Sequence, residues 1–128
     1  MTTFGREKRI RSGNDFRTIY DAGCRAGDDV LLVFAARNDA GVTRLGVSVS
    51  KKHGSAVVRN RRKRLLREAF RLSYHRLPES VDLVIVPRIQ SEPSLKEYFD
   101  SMIKLAGILQ KRLNRHSGGG NVRPGTPS

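Results

Sequence analysis

Three things are scarce in this sequence: cysteine, acidic side chains and long apolar runs. Its single cysteine, Cys24, cannot form an intramolecular disulfide or assemble a cysteine-based zinc site by itself. Tryptophan is absent, and 12 acidic residues stand against 25 lysines and arginines, which gives a formal net charge of +13. This imbalance disfavours a generic acidic enzyme and indicates a polyanionic partner, either nucleic acid or an anionic membrane surface.

The short apolar runs argue against a membrane-spanning protein. The longest run, residues 30–36, is far below the roughly 20 residues that a spanning helix needs. The basic stretch 1–12 lacks the apolar segment of a secretory signal. We therefore expect a soluble, cytoplasmic protein with no membrane partner, and a length of 128 residues suits one domain with one core.

The positive charge is concentrated in one segment. Residues 51–76 carry ten basic side chains and one acidic one, a net +9 of the total +13. Charge packed this densely repels itself unless an anion neutralises it, which favours a binding surface over an ordinary solvated face. On one helical face of this segment lie Asn60, Lys63, Arg64, Arg67 and Arg71.

The N-terminal half predicts one helix followed by strands. A helix with Phe16 and Tyr20 on one face begins after Ser12 and ends at Gly23. A short strand near 25–27 follows. Strands 30–37 and 42–50, joined by a turn at 38–41, are predicted to pair as a hairpin.

The C-terminal half predicts helix, strand and helix. Ser55 caps a helix over 56–74, and the apolar run 81–86 suits a strand that is buried on both faces. The capping box of Ser94 and Glu97 opens the last helix. The whole is an α/β fold, an α+β sandwich with a small, mostly antiparallel sheet and the order α-β-β-β-α-β-α.

Three regions are expected along the chain. They are a basic N-terminal arm over 1–10, one folded domain over 11–116, and a glycine- and proline-rich tail over 117–128 that we predict to be disordered.

The residues favour binding over catalysis. His53, His75 and His116 have no carboxylate or cysteine at a telling spacing, and the acidic residues are scattered, so we expect no catalytic residue and no protein-bound metal. Arginine, in contrast, forks onto phosphate oxygens, and Lys51 and Lys52 extend the basic segment. Unpaired bases stack on aromatic rings, for which there are three candidates that could equally be core: Phe16, Tyr20 and Phe34.

Two adjoining motifs carry a family resemblance: LGVSVSKK at 45–52 and, after Ala56, RNRRKRLLREAF at 59–70. Together with DFRTIY at 15–20 and DLVIVPR at 82–88, they resemble the bacterial ribonuclease P protein subunit, whose signature is the RNR helix. The resemblance covers about residues 6–115 and leaves the tail outside.

The resemblance implies a function for the chain. The protein would be the accessory subunit of an RNA-catalysed endonuclease that removes the 5′ leader of precursor tRNA, and it would broaden the substrate range. Its partners would be the leader and a catalytic RNA of the M1 type, with Mg²⁺ held by the RNA and no obligate protein partner. The RNR helix would lie in a left-handed crossover, against the right-handed rule.

Matched by position, the family residues fall into two sets. The leader cleft would comprise Phe16, Tyr20, Phe34, Ser48, Ser50 and Lys52, with Lys51 beside them. The RNR helix would contribute Arg59, Asn60, Arg61, Lys63, Arg64 and Arg67. Arg62 departs from the family, which has an aliphatic residue there, so its guanidinium is expected to snorkel past the apolar seam or to find an anion.

Three other interpretations fit parts of the pattern. A double-stranded RNA-binding domain shares the helix, three strands and helix, but does not predict the buried strand at 81–86 or the helix after Ser94. A basic ribosomal or nucleoid structural protein would lack a cleavage partner. A helix lying on a membrane surface would need a free apolar face, and Leu65, Leu66 and Phe70 look committed to the core.

Overall fold

The computed structural model describes residues 8–10, 13–22 and 24–118, with side chains through 114. Two short 3₁₀ turns, Lys51–His53 and Tyr74–Arg76, accompany the main elements. In chain order those are α1 (Gly13–Ala22), β1 (Cys24–Gly27), β2 (Leu31–Arg37), β3 (Arg44–Val47), α2 (Ala56–Ser73), β4 (Val81–Pro87) and α3 (Leu95–Gly118). This order confirms the predicted α-β-β-β-α-β-α arrangement.

Strand β4 is the centre of the sheet, whose order is β1-β2-β4-β3. It pairs antiparallel with β2, placing Ile85 opposite Val33, and parallel with β3, placing Leu83 opposite Leu45. The five residues of β4 from Val81 to Ile85 are at most 5% exposed. The predicted strand buried on both faces is therefore confirmed.

The predicted hairpin of the second and third strands is wrong. The turn itself forms, with Asn38 accepting the Ala40 N–H and donating to Val42 O, and Gly41 adopts a positive φ. The two strands nevertheless separate, and β4 lies between them. The almost continuously apolar β4 must be covered on both edges and both faces. Strand β3 pairs with it over only four residues, and Arg44 of β3 forms an ion pair with Asp82, the one charged residue of β4.

Helices cover the two faces of the sheet unequally. On one face, Leu66 and Phe70 of α2 and Tyr98 of α3 share a core with Val33 and Ile85. On the other face, the smaller α1 sets Ile19 against Val84. The side chain of Ile10 belongs to this second cluster. Its backbone N–H donates to Leu45 O at 2.9 Å, which fixes residues 8–10 along the outer edge of β3.

Strands β3 and β4 with α2 form a left-handed crossover. Consider a strand of L-residues that runs upward. A residue whose side chain points toward the viewer then has its own N–H and C=O groups pointing to the right. Viewed from α2, Ile85 has this orientation, and its carbonyl accepts the Ser48 N–H at 3.0 Å, so β3 lies right of β4. The chain therefore runs up along β3, comes back down through α2 in front of the sheet, and runs up again along β4 on the left. The family resemblance implied this exception to the right-handed rule.

Local capping matches the sequence where the structure describes it. Ser55 Oγ accepts the Val58 N–H and Ser94 Oγ accepts the Glu97 N–H, each at 3.3 Å. The predicted cap Ser12 and the predicted stop Gly23 lie outside the described residues. The disordered tail was predicted to begin at residue 117, but α3 continues through Gly118, and residues 119–128 lie outside the described part.

Asp28 is the electrostatic tie between the β1–β2 turn and α3. Its carboxylate accepts the N–H groups of Val30 and Leu31 and the Ser101 hydroxyl, and it pairs with Lys104 at 2.9 Å. Burial alone would raise the pKa of Asp28, but these hydrogen bonds hold it well below its usual range.

A carboxylate with a lowered folded pKa stabilises the fold above its unfolded pKa, near 4, and this contribution is lost as pH falls through the folded value. We therefore expect Asp28→Asn to lower the free energy of unfolding at pH 7 by about 1–3 kcal/mol. On acidification the variant should lose less of its unfolding free energy than the wild type. Denaturant titrations between pH 7 and pH 2 measure both. Asp29→Asn, at the exposed neighbour, is the control and should follow the wild type; an Asp28→Asn curve parallel to the wild type would refute the tie.

Candidate RNA-binding surfaces

Three rings form an aromatic cluster on the α1 face of the sheet: Phe16, Tyr20 and Phe34. Phe16 and Tyr20 lie one helical turn apart with centroids 6.5 Å apart, and Tyr20 meets Phe34 edge-on at 4.7 Å. Ile19 between them is fully buried and anchors α1 to the sheet. Tyr20 remains 37% exposed and the other two rings are half-buried, so the cluster packs on the core yet presents ring surface to solvent.

Beside α1, none of the described helices covers a patch of the sheet that we call the open face. Its cross-strand row contains Gly27, Leu32 and Val86, and Ser48 follows at the end of β3. Gly46 lies under Phe16, where a Cβ atom would come within 2.8 Å of the ring, so glycine allows the helix to approach this closely. The patch opens into a cavity of about 430 Å³, lined by Asp28, Asp29, Leu32, His53, Val86, Pro87, Arg88, Ile89 and Gln90.

The lysine turn, residues 50–54, closes one end of the open face. Ser50 Oγ accepts the Lys52 N–H, and His53 Nδ1 accepts the Ser50 N–H at 2.9 Å. His53 Nε2 lies 2.8 Å from Pro87 O, which assigns the proton to Nε2. Lys51 and Lys52 are exposed on this turn. The structure thus places Ser50 and both lysines together, with buried His53 as their support.

Helix α2 carries the basic ridge: Arg59, Asn60, Arg61, Lys63, Arg64 and Arg67. Asn60, Arg61 and Arg64 are exposed and the other three are half-buried, while Leu66 and Phe70 occupy the opposite, core-facing side. The predicted amphipathic helix is therefore confirmed.

Charge on the ridge is greatest in the first three turns of α2. Arg71, further along, pairs with Glu68 and is partly neutralised. Burial lowers the pKa of Arg67, and the nearby guanidinium of Arg9 lowers it further. Residues 8–10 therefore bring additional positive charge to the ridge, and the cations are held together against their mutual repulsion.

Arg62 does neither of the two things that the sequence led us to expect. It does not snorkel to solvent, since it is only 4% exposed, and its hydrogen-bond partners are all neutral. They are the carbonyls of His53, Arg88, Ile89 and Ser91 and the hydroxyls of Ser91 and Tyr98. The sequence could not show this because four of these residues come from the β4–α3 connection and α3, more than 25 positions away.

The remaining titratable residues form no metal-binding cluster in the described part of the chain. Among those residues, no group of three or more histidine, cysteine or acidic side chains could hold an ion. His53 is buried and His75 is exposed, while the side chain of His116 lies outside the described part. None of the described helices is long and apolar enough to cross a membrane.

Comparison with known proteins places this geometry in a family. Residues 4–110 match the family model Ribonuclease P. The ribonuclease P protein component of Clostridium botulinum (strain Loch Maree / Type A3) is 37% identical over 107 residues, covering 83% of this chain and 95% of the relative. That of Syntrophus aciditrophicus (strain SB) is 38% identical, covering 85% and 90%.

Solved structures agree with the sequence relatives. The Staphylococcus aureus RNase P protein superposes with a TM-score of 0.70 at 30% identity, covering 79% of this chain and 94% of that one. The Thermotoga maritima RNase P protein gives a TM-score of 0.59 at 29% identity, covering 84% and 93%. The chain therefore belongs to the ribonuclease P protein family, the protein components of an endoribonuclease ribonucleoprotein that processes the 5′ ends of tRNA.

Proposed function

We propose that this protein binds the single-stranded 5′ leader of precursor tRNA along the aromatic cluster, the open face and the lysine turn, and contacts the catalytic RNA through the basic ridge. The observation that carries this proposal is the arrangement of partly exposed rings beside a sheet patch that none of the described helices covers and that ends at exposed lysines. Single strands need stacking surfaces for bases and cations for phosphates, and this face offers both.

The aromatic cluster suits stacking because its rings are already held in place. Edge-to-face contact with Phe34 and the buried anchor Ile19 restrict the motion of Tyr20 before any RNA arrives. Little side-chain entropy is then lost on binding. Because stacking does not read base identity, leaders of different sequence can be accepted, in keeping with a broadened substrate range.

The basic ridge lies on the other side of the sheet. Helix α2 packs on the face that carries Val33 and Ile85, whereas α1 and the aromatic cluster pack on the face that carries Val84. Two RNA segments can therefore be engaged at once. Guanidinium groups on a helix match phosphate oxygens with paired hydrogen bonds, and each neutralised phosphate releases counterions.

Cleavage chemistry belongs, in this proposal, to the RNA partner. Mg²⁺ held by the catalytic RNA and its substrate complex would activate water and stabilise the leaving oxygen. The protein residues would bind, orient and screen charge. The catalytic RNA would be of the M1 type.

Reconstitution tests the function as a whole. We expect the purified protein to leave precursor tRNA intact, and the protein together with a catalytic RNA to release mature 5′ ends at Mg²⁺ concentrations where that RNA alone is slow. Cleavage by protein that has been freed of RNA would contradict the division of labour, and no stimulation would contradict the function.

Stacking is tested by Phe34→Leu, which keeps apolar volume beneath Tyr20 but removes the ring. We expect the holoenzyme to bind leader-bearing precursor more weakly by about 1–3 kcal/mol, with mature tRNA unaffected. Equilibrium binding to both RNAs measures this. Phe99→Leu, at a half-buried ring on α3, is the matched control and should leave both affinities unchanged; equal losses for precursor and mature tRNA would rule out stacking on the leader.

The ridge is tested by Arg64→Gln, since Arg64 is exposed and away from the core. We expect weaker binding of the catalytic RNA, and a slope of log affinity against log salt that is shallower by about 1. Salt titrations of protein–RNA binding give the slope. Lys111→Gln removes an exposed charge on α3 and serves as control; identical slopes for the two variants would mean that the ridge is an ordinary solvated face.

A further inference from the structure

We propose that Arg62 is a positioning residue for leader binding. Buried behind the open face, it ties the lysine turn and the β4–α3 loop, residues 88–91, to helix α2, and so fixes the rim on which the leader would lie. This inference rests on the proposed function, because it names what holds the proposed leader surface in place.

The first half of the tie is to the lysine turn. Arg62 Nε donates to His53 O at 3.2 Å. His53 in turn accepts the Ser50 N–H at Nδ1 and donates from Nε2 to Pro87 O. Backbone and side chain of His53 are therefore both engaged, and Lys51 and Lys52 stand on a turn that is fixed from α2 and from the end of β4.

The second half of the tie is to the loop. Arg62 Nη2 donates to Ile89 O at 3.2 Å and Ser91 O at 2.8 Å, and Nη1 donates to Arg88 O at 3.3 Å. Tyr98 Oη, on α3, lies 3.2 Å from Nη1. The carbonyls of a whole loop converge on one guanidinium, and the loop itself lines the cavity at the open face.

The chemistry of these hydrogen bonds indicates that Arg62 serves to position the groups around it more than to stabilise the fold. A buried guanidinium without a carboxylate partner is costly to desolvate, and an apolar side chain of similar volume is often as stable or more so. A planar fork of five donors, however, fixes several carbonyls in one geometry, which neither an aliphatic side chain nor a lysine can reproduce. The groups that Arg62 fixes are those that surround the proposed leader surface.

The test uses Arg62→Lys in the holoenzyme, which retains the charge and loses the fork. Affinities are measured for precursor tRNA with a long leader and with the leader truncated to a single nucleotide. We expect the ratio of the two affinities to fall about threefold to tenfold, while affinity for the catalytic RNA is retained. Hydrogen exchange at the amides of Ser50, Gly54 and Ser91 should quicken.

Phe70→Leu, a core change on the same helix, is the control for loss of stability. It should lower the melting temperature without changing the leader-dependent ratio. A ratio for Arg62→Lys that equals the wild-type value overturns the inference, as does a loss that Phe70→Leu reproduces. A wild-type holoenzyme with no leader-dependent affinity would instead overturn the proposed function, so the two failures are distinguishable.

Ser91→Ala provides a second variant should Arg62→Lys fail to fold. It removes the Ser91 hydroxyl, which donates to Arg88 O at 2.7 Å and receives a long contact from Arg62, and leaves α2 unaltered. A smaller fall of the leader-dependent ratio in the same direction supports the inference, and an unchanged ratio overturns it.

Discussion

The structure depends on covering strand β4. Its residues Val81–Ile85 are buried on both faces, so helices must pack on both sides of the sheet and strands must flank both edges. Strand β2 supplies the antiparallel neighbour, and β3 has to enter as the parallel one. A parallel neighbour requires a crossover, and α2 is the helix that the intervening chain provides. The requirement to cover β4 thus sets the position of the most basic helix in the chain.

The same requirement separates the two proposed RNA-binding surfaces. Side chains alternate along β4, so Ile85 faces α2 and α3, whereas Val84 faces α1. Cations are concentrated on the α2 side, and the aromatic cluster lies on the α1 side. Because the sheet is a single layer of strands, the cations and the rings are a short distance apart but occupy different areas. In the proposed function the cations would attract RNA over a long range, and the rings would stack on it at contact.

Sequence reasoning succeeded where the signal is local. The caps at Ser55 and Ser94, the apolar stripe of α2 and the doubly buried run of β4 are each readable within a few residues, and the structure reproduces them. It failed on the hairpin because a turn specifies a reversal of the chain and not which strand comes to lie beside it. Nothing near residues 38–41 indicates that β4, some 40 positions later, separates the two strands.

For the candidate site, the charge pattern and the aromatic residues indicated the two surfaces, the family resemblance completed their residue sets, and the structure added their supports. His53 is an ordinary-looking histidine in the sequence, yet both ring nitrogens are engaged, one by Ser50 N–H and the other by Pro87 O. Arg62 was expected to reach solvent or an anion because its helical position faces the apolar seam, and periodicity predicts direction without predicting partners. The carbonyls of Ile89 and Ser91 come within hydrogen-bond distance of its guanidinium only when the 88–91 loop has folded against α2.

Arg62 also shows how a helix crowded with cations can contribute to the core on its other side. Its charge is surrounded by carbonyl dipoles, which stabilise a cation without adding a negative charge to the neighbourhood. A carboxylate at the same place would have been the usual partner, but it would also have offset part of the field of the ridge that the proposed RNA partner meets. Neutral acceptors therefore bury the guanidinium and leave the surrounding potential positive.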